Sequence, residues 1–599
     1  MRVWAVALGA AAVAAWATPA RADCDDPFGD PTDVLSLHVR MAPAVWDQLV
    51  FDGTEGSGCD AQYPYREVEF RCGDDEPWLT IGARHKRGDQ RGRDTDYKPP
   101  LKLDFNRIVQ GQRWPAARGK LGYRKLSLNN GQADNPGGAL SALMSEHFAW
   151  RLMRREVGTA SGVAYARLYV HLVEGDTETV EYHGIYILLE DVDRTAIRAR
   201  FGADQGTLLK TTTGGCRDQI VFDDGAPNAA TDSFDAWLAL DPGASYDGGW
   251  RGETERHLHL ESALRQEALR DALANGRDTL FGQNYSNYHS FDPSTGTRHY
   301  IPWDLDDAFR IHPQTVPFDT PLDDSCSPIG ALTRCNADIE PRYLEVMCQL
   351  ANGTLHEDAL VAEWDAIDAL LRPIVAEEVD PVWAPHGIDP LDADQAGTYA
   401  AEYVRVRQWI QDRVPYVRGQ IEASGVTCPD GCTEAASETC EYLTCAGERR
   451  CESGRWTTCQ VDPGLEICGN GADDDCDFRI DEGCTGPGGD GDGGPITGDG
   501  GPAADDVGGS CGCQSATVSG ALPWELMLVL LFIRRRTACR WRRPGPCPAR
   551  TRRRESRSPA RIATCTRTAR RRCRSARRGS SSRAVPRRSA RSHRACPRS

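Results

Sequence analysis

The chain has 599 residues, 40% of them hydrophobic and 26% charged, with a formal net charge of −17. That apolar share supports at least one large core and excludes a chain disordered throughout. The acidic balance suits a soluble surface that attracts cations and argues against nucleic-acid binding by the body of the protein.

The chain opens with one early Arg, an apolar run and Ala20-Arg21-Ala22, which together read as a secretory signal peptide over 1–22. Export follows as an expectation, and in that setting 23 cysteines imply disulfides. Nine of them fall between Cys428 and Cys484, an odd number that cannot pair completely within that stretch.

Residues 23–425 lack low-complexity breaks and read as one α+β domain. LSLHV, REVEFRC, PPLKLDF, ARLYVHLV and EYHGIYILLE are strand-like. Leu140, Leu143 or Met144, Phe148 and Leu152 recur at helical spacing up to a stop at Gly158, and Leu260, Leu264 and Ala268 do so ahead of Gly276. NYHSF and RHYIPW flank DPSTGT, whose Asp, Pro and Gly predict a hairpin turn, and Pro302 belongs at that strand's end. A long helix from Thr398 closes the domain and is expected to bend or break at Pro415.

Around the hairpin the carboxylates are ordered. Asp278 stands in a loop after a helix, Asn284 and Asn287 follow, and Asp304, Asp306 and Asp307 come at the second strand's end. Phosphoryl transfer needs such groups: a loop Asp to orient the attacking hydroxyl, and hard oxygen ligands for a metal that neutralises the phosphates. A capping Asp at a helix start accounts equally for one carboxylate, though not for several. The motifs of ordinary kinases (HRD, DFG, GxGxxG) are absent from residues 23–425.

The chain resembles instead the CotH family of atypical secreted or spore-coat kinases. The resemblance rests on IGARHKRG (81–88), KPPLKLDFN (98–106), KLSLNNGQAD (125–134), GIYILLEDVD (184–193), GTLLK (206–210), QNYSNYHSFD (283–292) and YIPWDLDDAF (300–309), in family order across roughly 75–425. It implies an atypical protein-kinase-like domain using ATP with Mg²⁺ or Mn²⁺ on a secreted or surface protein. Asp278 then matches the hydroxyl-orienting residue, Asn287 the metal- and nucleotide-side Asn (Asn284 fits ordinary kinase spacing better), and Asp304 the metal ligand with Asp306 beside it. Lys98 or Lys102 is the candidate phosphate contact and Glu146 its candidate partner, while Glu190 and Lys210 sit in family-like motifs without an assigned role. A non-catalytic surface adhesin or coat protein that keeps the fold is the alternative.

Residues 426–485 form a small disulfide-rich module. EICGNGADDDCDFRIDEGC resembles a short acidic repeat of exported myxobacterial proteins, which implies Ca²⁺ binding by Asp473, Asp475, Asp477, Asp481 and Glu482; a disulfide-held loop without metal is nearly as good a reading. A Gly/Asp-rich linker follows at 486–510. Residues 511–536 (CGC, an apolar run, RRR) resemble the MYXO-CTERM sorting signal, which implies surface or membrane anchoring, although the apolar run is shorter than a ~20-residue span. From Arg534 onward there are 25 Arg and one Glu, so the rest of the chain is far more acidic than the whole-chain value. The 537–599 tail reads as disordered and has the composition of a GC-rich reading frame translated past its proper end.

Overall fold

The computed structural model describes residues 24–461 except 30–33, 52–62, 87–97, 116–121, 132–139, 202–206, 212–218, 223–232, 234, 238, 242–243, 247–248, 275–286, 292–295, 315–335, 427, 429–431, 443–444, 453 and 458. The signal peptide, Asp278, Asn284, the acidic repeat from Asp473 to Glu482, the linker, the sorting segment and the Arg-rich tail therefore lie outside the described residues.

Alternation of apolar and polar residues builds the first layer. In β1 (Val34–Met41), Leu35, Leu37 and Val39 are fully buried while His38 and Arg40 face the other way. β2 (Arg66–Cys72), β3 (Leu79–His85), β4 (Leu101–Asp104), β5 (Lys125–Asn129), β6 (Val163–Glu174) and β7 (Thr177–Glu190) repeat the pattern. They pair in the order β1-β2-β3-β4-β5-β7-β6, and a parallel β1–β6 ladder closes the sheet into a barrel. Inside lies a core that includes Leu37, Phe70, Ile81, Leu103, Leu128 and Leu188. A disulfide from Cys24 to Cys72 pins the N-terminal segment to β2. The mixed α/β expectation holds; the closed barrel is a finding the sequence reading did not contain.

One outer face of β6 and β7 is apolar too, with Val163, Tyr165, Ile185, Ile187 and Leu189 buried. It faces the helices: α2 (Leu143–Glu156), α5 (Leu260–Ala272), α6 (Glu340–Ala351), α7 (Glu357–Glu378) and α8 (Tyr399–Ala423) share its core. The shorter α1 (Pro43–Phe51), α3 (Arg194–Phe201) and α4 (Gly249–Glu255) complete the set of helices discussed here. α2 ends at Glu156, two residues before the expected stop. α8 runs through Pro415 without a break, with Thr398 as its N-cap.

A second sheet has the order β11-β10-β8-β9, with β8 (Thr207–Thr211), β9 (Gln219–Phe222), β10 (Asn287–Phe291) and β11 (Arg298–Ile301). The predicted hairpin is its β10–β11 pair, Tyr288 opposite Ile301, and β11 stops just before Pro302. The cysteine-rich segment adds β12 (Ser437–Tyr442), β13 (Cys445–Glu452), β14 (Arg455–Trp456) and β15 (Gln460–Val461), stapled by Cys432–Cys451 and Cys440–Cys459. Cys428 bonds to Cys348 on α6, outside the nine, and so ties the segment to the helical core.

Candidate active site

The period of two that fills the barrel also decides which side chains leave it. On β4, Leu101 and Leu103 point inward, so Lys102 and Asp104 point out. On β5, Leu126 and Leu128 point inward, which turns Lys125, Ser127 and Asn129 outward; Lys125 sits opposite Asp104, 3.7 Å from its carboxylate. Lys86 follows β3 in the same phase as Arg84, its backbone N–H held 2.8 Å from the Pro100 carbonyl. Asp191 comes one residue after β7 ends. One face of the barrel thus gathers alternating cations and acids.

The 302–313 segment supplies the opposing wall. It is irregular, so its backbone groups need partners, and the helices provide them. Arg270 of α5 donates to the Trp303 carbonyl (2.5 Å), the Phe309 N–H bonds to the Leu273 carbonyl (2.8 Å), and Arg405, Trp409 and Arg413 of α8 donate to the carbonyls of Phe309, Ile311 and Pro313 at 2.7–2.8 Å. The Trp303 ring is fixed edge-on against Tyr288 and Trp150. Asp304 then takes φ +61°, the left-handed region, which costs a non-glycine residue about 1–3 kcal/mol. Tight anchoring on both sides holds it there.

These walls bring named groups together. Lys102 Nζ lies 2.6 Å from Asp191 Oδ2. Lys86 Nζ donates to Asn129 Oδ1, and Asn129 Nδ2 donates to Glu146 of α2. The Lys210 ammonium of β8 stands 5.2 Å from the Tyr288 ring centroid and 5.7 Å from that of Trp303, while Lys86 approaches Trp303 at 5.6 Å. Burial, with the neighbouring Lys102 charge, pushes the Lys210 ammonium down to about 8, against the opposing pull of Asp304 and Asp191. Burial acts to raise the Asp191 carboxyl, but Lys102 above all, with Lys125 and Lys86, holds it below its usual range. Burial raises the Tyr288 hydroxyl, and the charges of Asp191, Asp304 and Asp193 raise it further. Three lysines and the carboxylates of Asp191 and Asp304 therefore act on one place.

The two expected strand lysines part company. Lys102 is in this cleft, but its carboxylate partner is Asp191 and not Glu146. Lys98 lies elsewhere: fully buried, its ammonium bonds the Ile185 carbonyl at 2.5 Å and the Glu378 carboxylate of α7 at 3.2 and 3.4 Å. Glu378 also accepts from Trp383 at 2.9 Å, and its carboxylate occupies the space a Cβ at Gly184 (φ +90°) would need. Glu190 likewise holds structure, receiving both Arg200 guanidinium nitrogens and the Gly162 N–H.

Asp306 opens the turn after Asp304, part-buried, and Asp307 lies 3.9 Å from Arg310. The Asn287 backbone opposes Thr211 on β8 at the start of β10. Asp191, Lys86 and Asn129 were missed by residue type, although all three lie within the stretches EDVD, RHK and KLSLN of the motifs above.

A place that gathers three ammonium groups and two carboxylates suits a ligand carrying both anion and cation, as a metal-bound polyphosphate does. The chain belongs to the CotH kinase protein family, whose model matches residues 87–417. No curated protein matches the chain. Among the described residues no three His, Cys, Asp or Glu side chains stand close enough to hold a metal ion by themselves.

Proposed function

We propose that this chain is an exported, metal-dependent phosphotransferase that moves the γ-phosphate of ATP to hydroxyl side chains of secreted or surface proteins, using an atypical kinase-like arrangement. The observation that carries the reading is the meeting of Lys86, Lys102 and Lys210 with Asp191 and Asp304, within the span that matches the CotH kinase family. Lys86, Lys102 and Lys210 bind phosphate oxygens, and Lys102 exchanges Asp191 for phosphate as the nucleotide enters. Asp304 and Asp306, with Asn287, are the metal ligands in this reading; Mg²⁺ or Mn²⁺, when bound, supplies charge neutralisation of the phosphates. Asp278 accepts the proton of the acceptor hydroxyl, and the Trp303 and Tyr288 rings limit water at the lysines. The chain order α5, Asp278, β10–β11 hairpin, Asp304 supports the kinase-like comparison.

The test is transfer of label from γ-labelled ATP to the chain itself or to an exported protein extract, with Mn²⁺ or Mg²⁺, beside Asp278→Ala and Asp304→Ala. Label in the parent alone supports the reading; equal label in all three, or none in the parent, sinks it. A second reading, a surface adhesin without turnover, is favoured by one observation: Lys102 and Asp191 already satisfy each other at 2.6 Å. ATP binding without label transfer would select it.

A further inference from the structure

Glu146, Asn129 and Lys86 form a line in which an amide stands between carboxylate and ammonium. Its nitrogen donates to Glu146 Oε1 and its oxygen accepts from Lys86 Nζ. Among neutral side chains, a primary amide combines a fixed donor and a fixed acceptor, so its orientation is set by the two charges it bridges. Each member comes from a different element. Glu146 is 5% exposed in the first turn of α2, Asn129 ends β5 opposite Ile187 of β7, and Lys86 follows β3. The last member reaches Trp303, the residue before Asp304.

We propose that Asn129 is a positioning residue that transmits the place of the Glu146 carboxylate on α2 to the Lys86 ammonium, and so fixes where that ammonium meets a phosphate oxygen beside Asp304. The identity of the anion rests on the phosphotransfer reading; the relay does not. A lysine ammonium sits on a flexible four-carbon stem and is strongly hydrated, so an unanchored Lys86 turns to solvent. Anchored through the amide, it moves with α2. A shift of that helix therefore reaches the phosphate side of the cleft through two hydrogen bonds, each made to a charged group.

The first experiment measures acetylation of individual lysines in the full chain with N-acetoxysuccinimide, read by mass spectrometry, in the parent, Asn129→Leu and Glu146→Leu. Lys86 acetylation should rise about threefold or more in both variants, as expected for loss of a charge-assisted hydrogen bond, with Lys125 unchanged as internal reference. An unchanged Lys86 rate, or an equal rise at Lys86 and Lys125, overturns the proposal. Should the leucine variant fail to fold, Asn129→Ser, too short to bridge both partners, is held to the same outcomes.

The second experiment is calorimetric titration with ATP and Mg²⁺. Asn129→Leu should weaken binding about fivefold in the parent and add nothing in a Lys86→Met background; equal weakening in both backgrounds overturns the proposal. A parent that binds no ATP while Lys86 acetylation responds as stated retires the phosphotransfer reading and leaves the relay standing.

Discussion

Two lysine–carboxylate pairs whose lysines stand four residues apart in the chain have opposite surroundings. Lys98 and Glu378 are both completely buried, closed in by the Ile185 carbonyl and the Tyr186 and Trp383 rings. Lys102 keeps an edge in solvent, its side chain at 18% exposure, while its partner Asp191 is buried, and the pair stands among further lysines. The first pair has every neighbour a folded core requires and no room for a ligand. The second has like charges that folding alone gives no reason to gather. Residue type does not separate the two; what lies around each pair does.

The comparison breaks most visibly if the sealed pair is opened. Removing one partner of a buried ion pair leaves the other charge without compensation, so Lys98→Met should cost about 3–5 kcal/mol in denaturant unfolding. Nucleotide affinity per folded molecule should stay unchanged. A stability loss below ~1 kcal/mol would put Lys98 with the cleft lysines instead.

Asp304 is the opposite case, a residue held in a conformation that favours glycine. Asp304→Gly removes the left-handed strain, so the unfolding midpoint should hold or rise. Label transfer should nonetheless fall by about 100-fold or more, roughly 3 kcal/mol of barrier, because the proposed metal ligand is gone. Equal losses of stability and transfer would make Asp304 a structural residue like Glu190.

A third polar cluster sharpens the contrast through pH. On the outer barrel wall His171 pairs through Nδ1 with Glu178 (2.6 Å) and through Nε2 with His38 Nδ1 (3.0 Å). Burial first, then the Arg71 and His171 charges, push His38 down to about 4, with Asp74 acting the other way. Its folded value lies below its unfolded value near 6.5, so the unfolded chain binds more protons between pH 6.5 and 4. The stabilisation is present above pH 6.5 and is lost as pH falls through about 4. From pH 7 to pH 4 the parent should lose on the order of 2 kcal/mol more than a His38→Phe variant in urea unfolding. Equal losses would remove His38 as the responsible group.

Much of the fold was legible because local pattern dictates it. Alternation in LSLHV and REVEFRC, the DPSTG turn and the helical spacing of Met144, Phe148 and Leu152 are all decided within a few residues. The barrel was not legible, because its closure depends on β1 pairing in parallel with β6 more than 120 residues away, and nothing in either strand names its partner. The same limit applies to the site. Asp304 stood out by its neighbours Pro302 and Trp303, and Lys102 by its strand, yet the choice between Lys98 and Lys102 needed α7, whose Glu378 lies 280 residues from Lys98. The link from Glu146 runs through an Asn that looks like an ordinary strand residue, so spacing could not reveal it.

The smallest change is the one that separates the two pairs most finely. Lys102→Met removes a charge that water partly screens, so its stability cost should be only about 1 kcal/mol, well below that of Lys98→Met. Asp191 stays compensated by Lys125 and Lys86, which already help hold its carboxyl low. The same substitution takes one of three positive charges from the proposed phosphate side of the cleft. ATP–Mg²⁺ affinity should therefore drop about tenfold, a larger loss than the change in folding, and the drop should shrink at high salt. If stability falls by several kcal/mol while affinity per folded molecule is unchanged, Lys102–Asp191 is a second structural pair. The cleft would then have to be assigned to Lys86 and Lys210 alone.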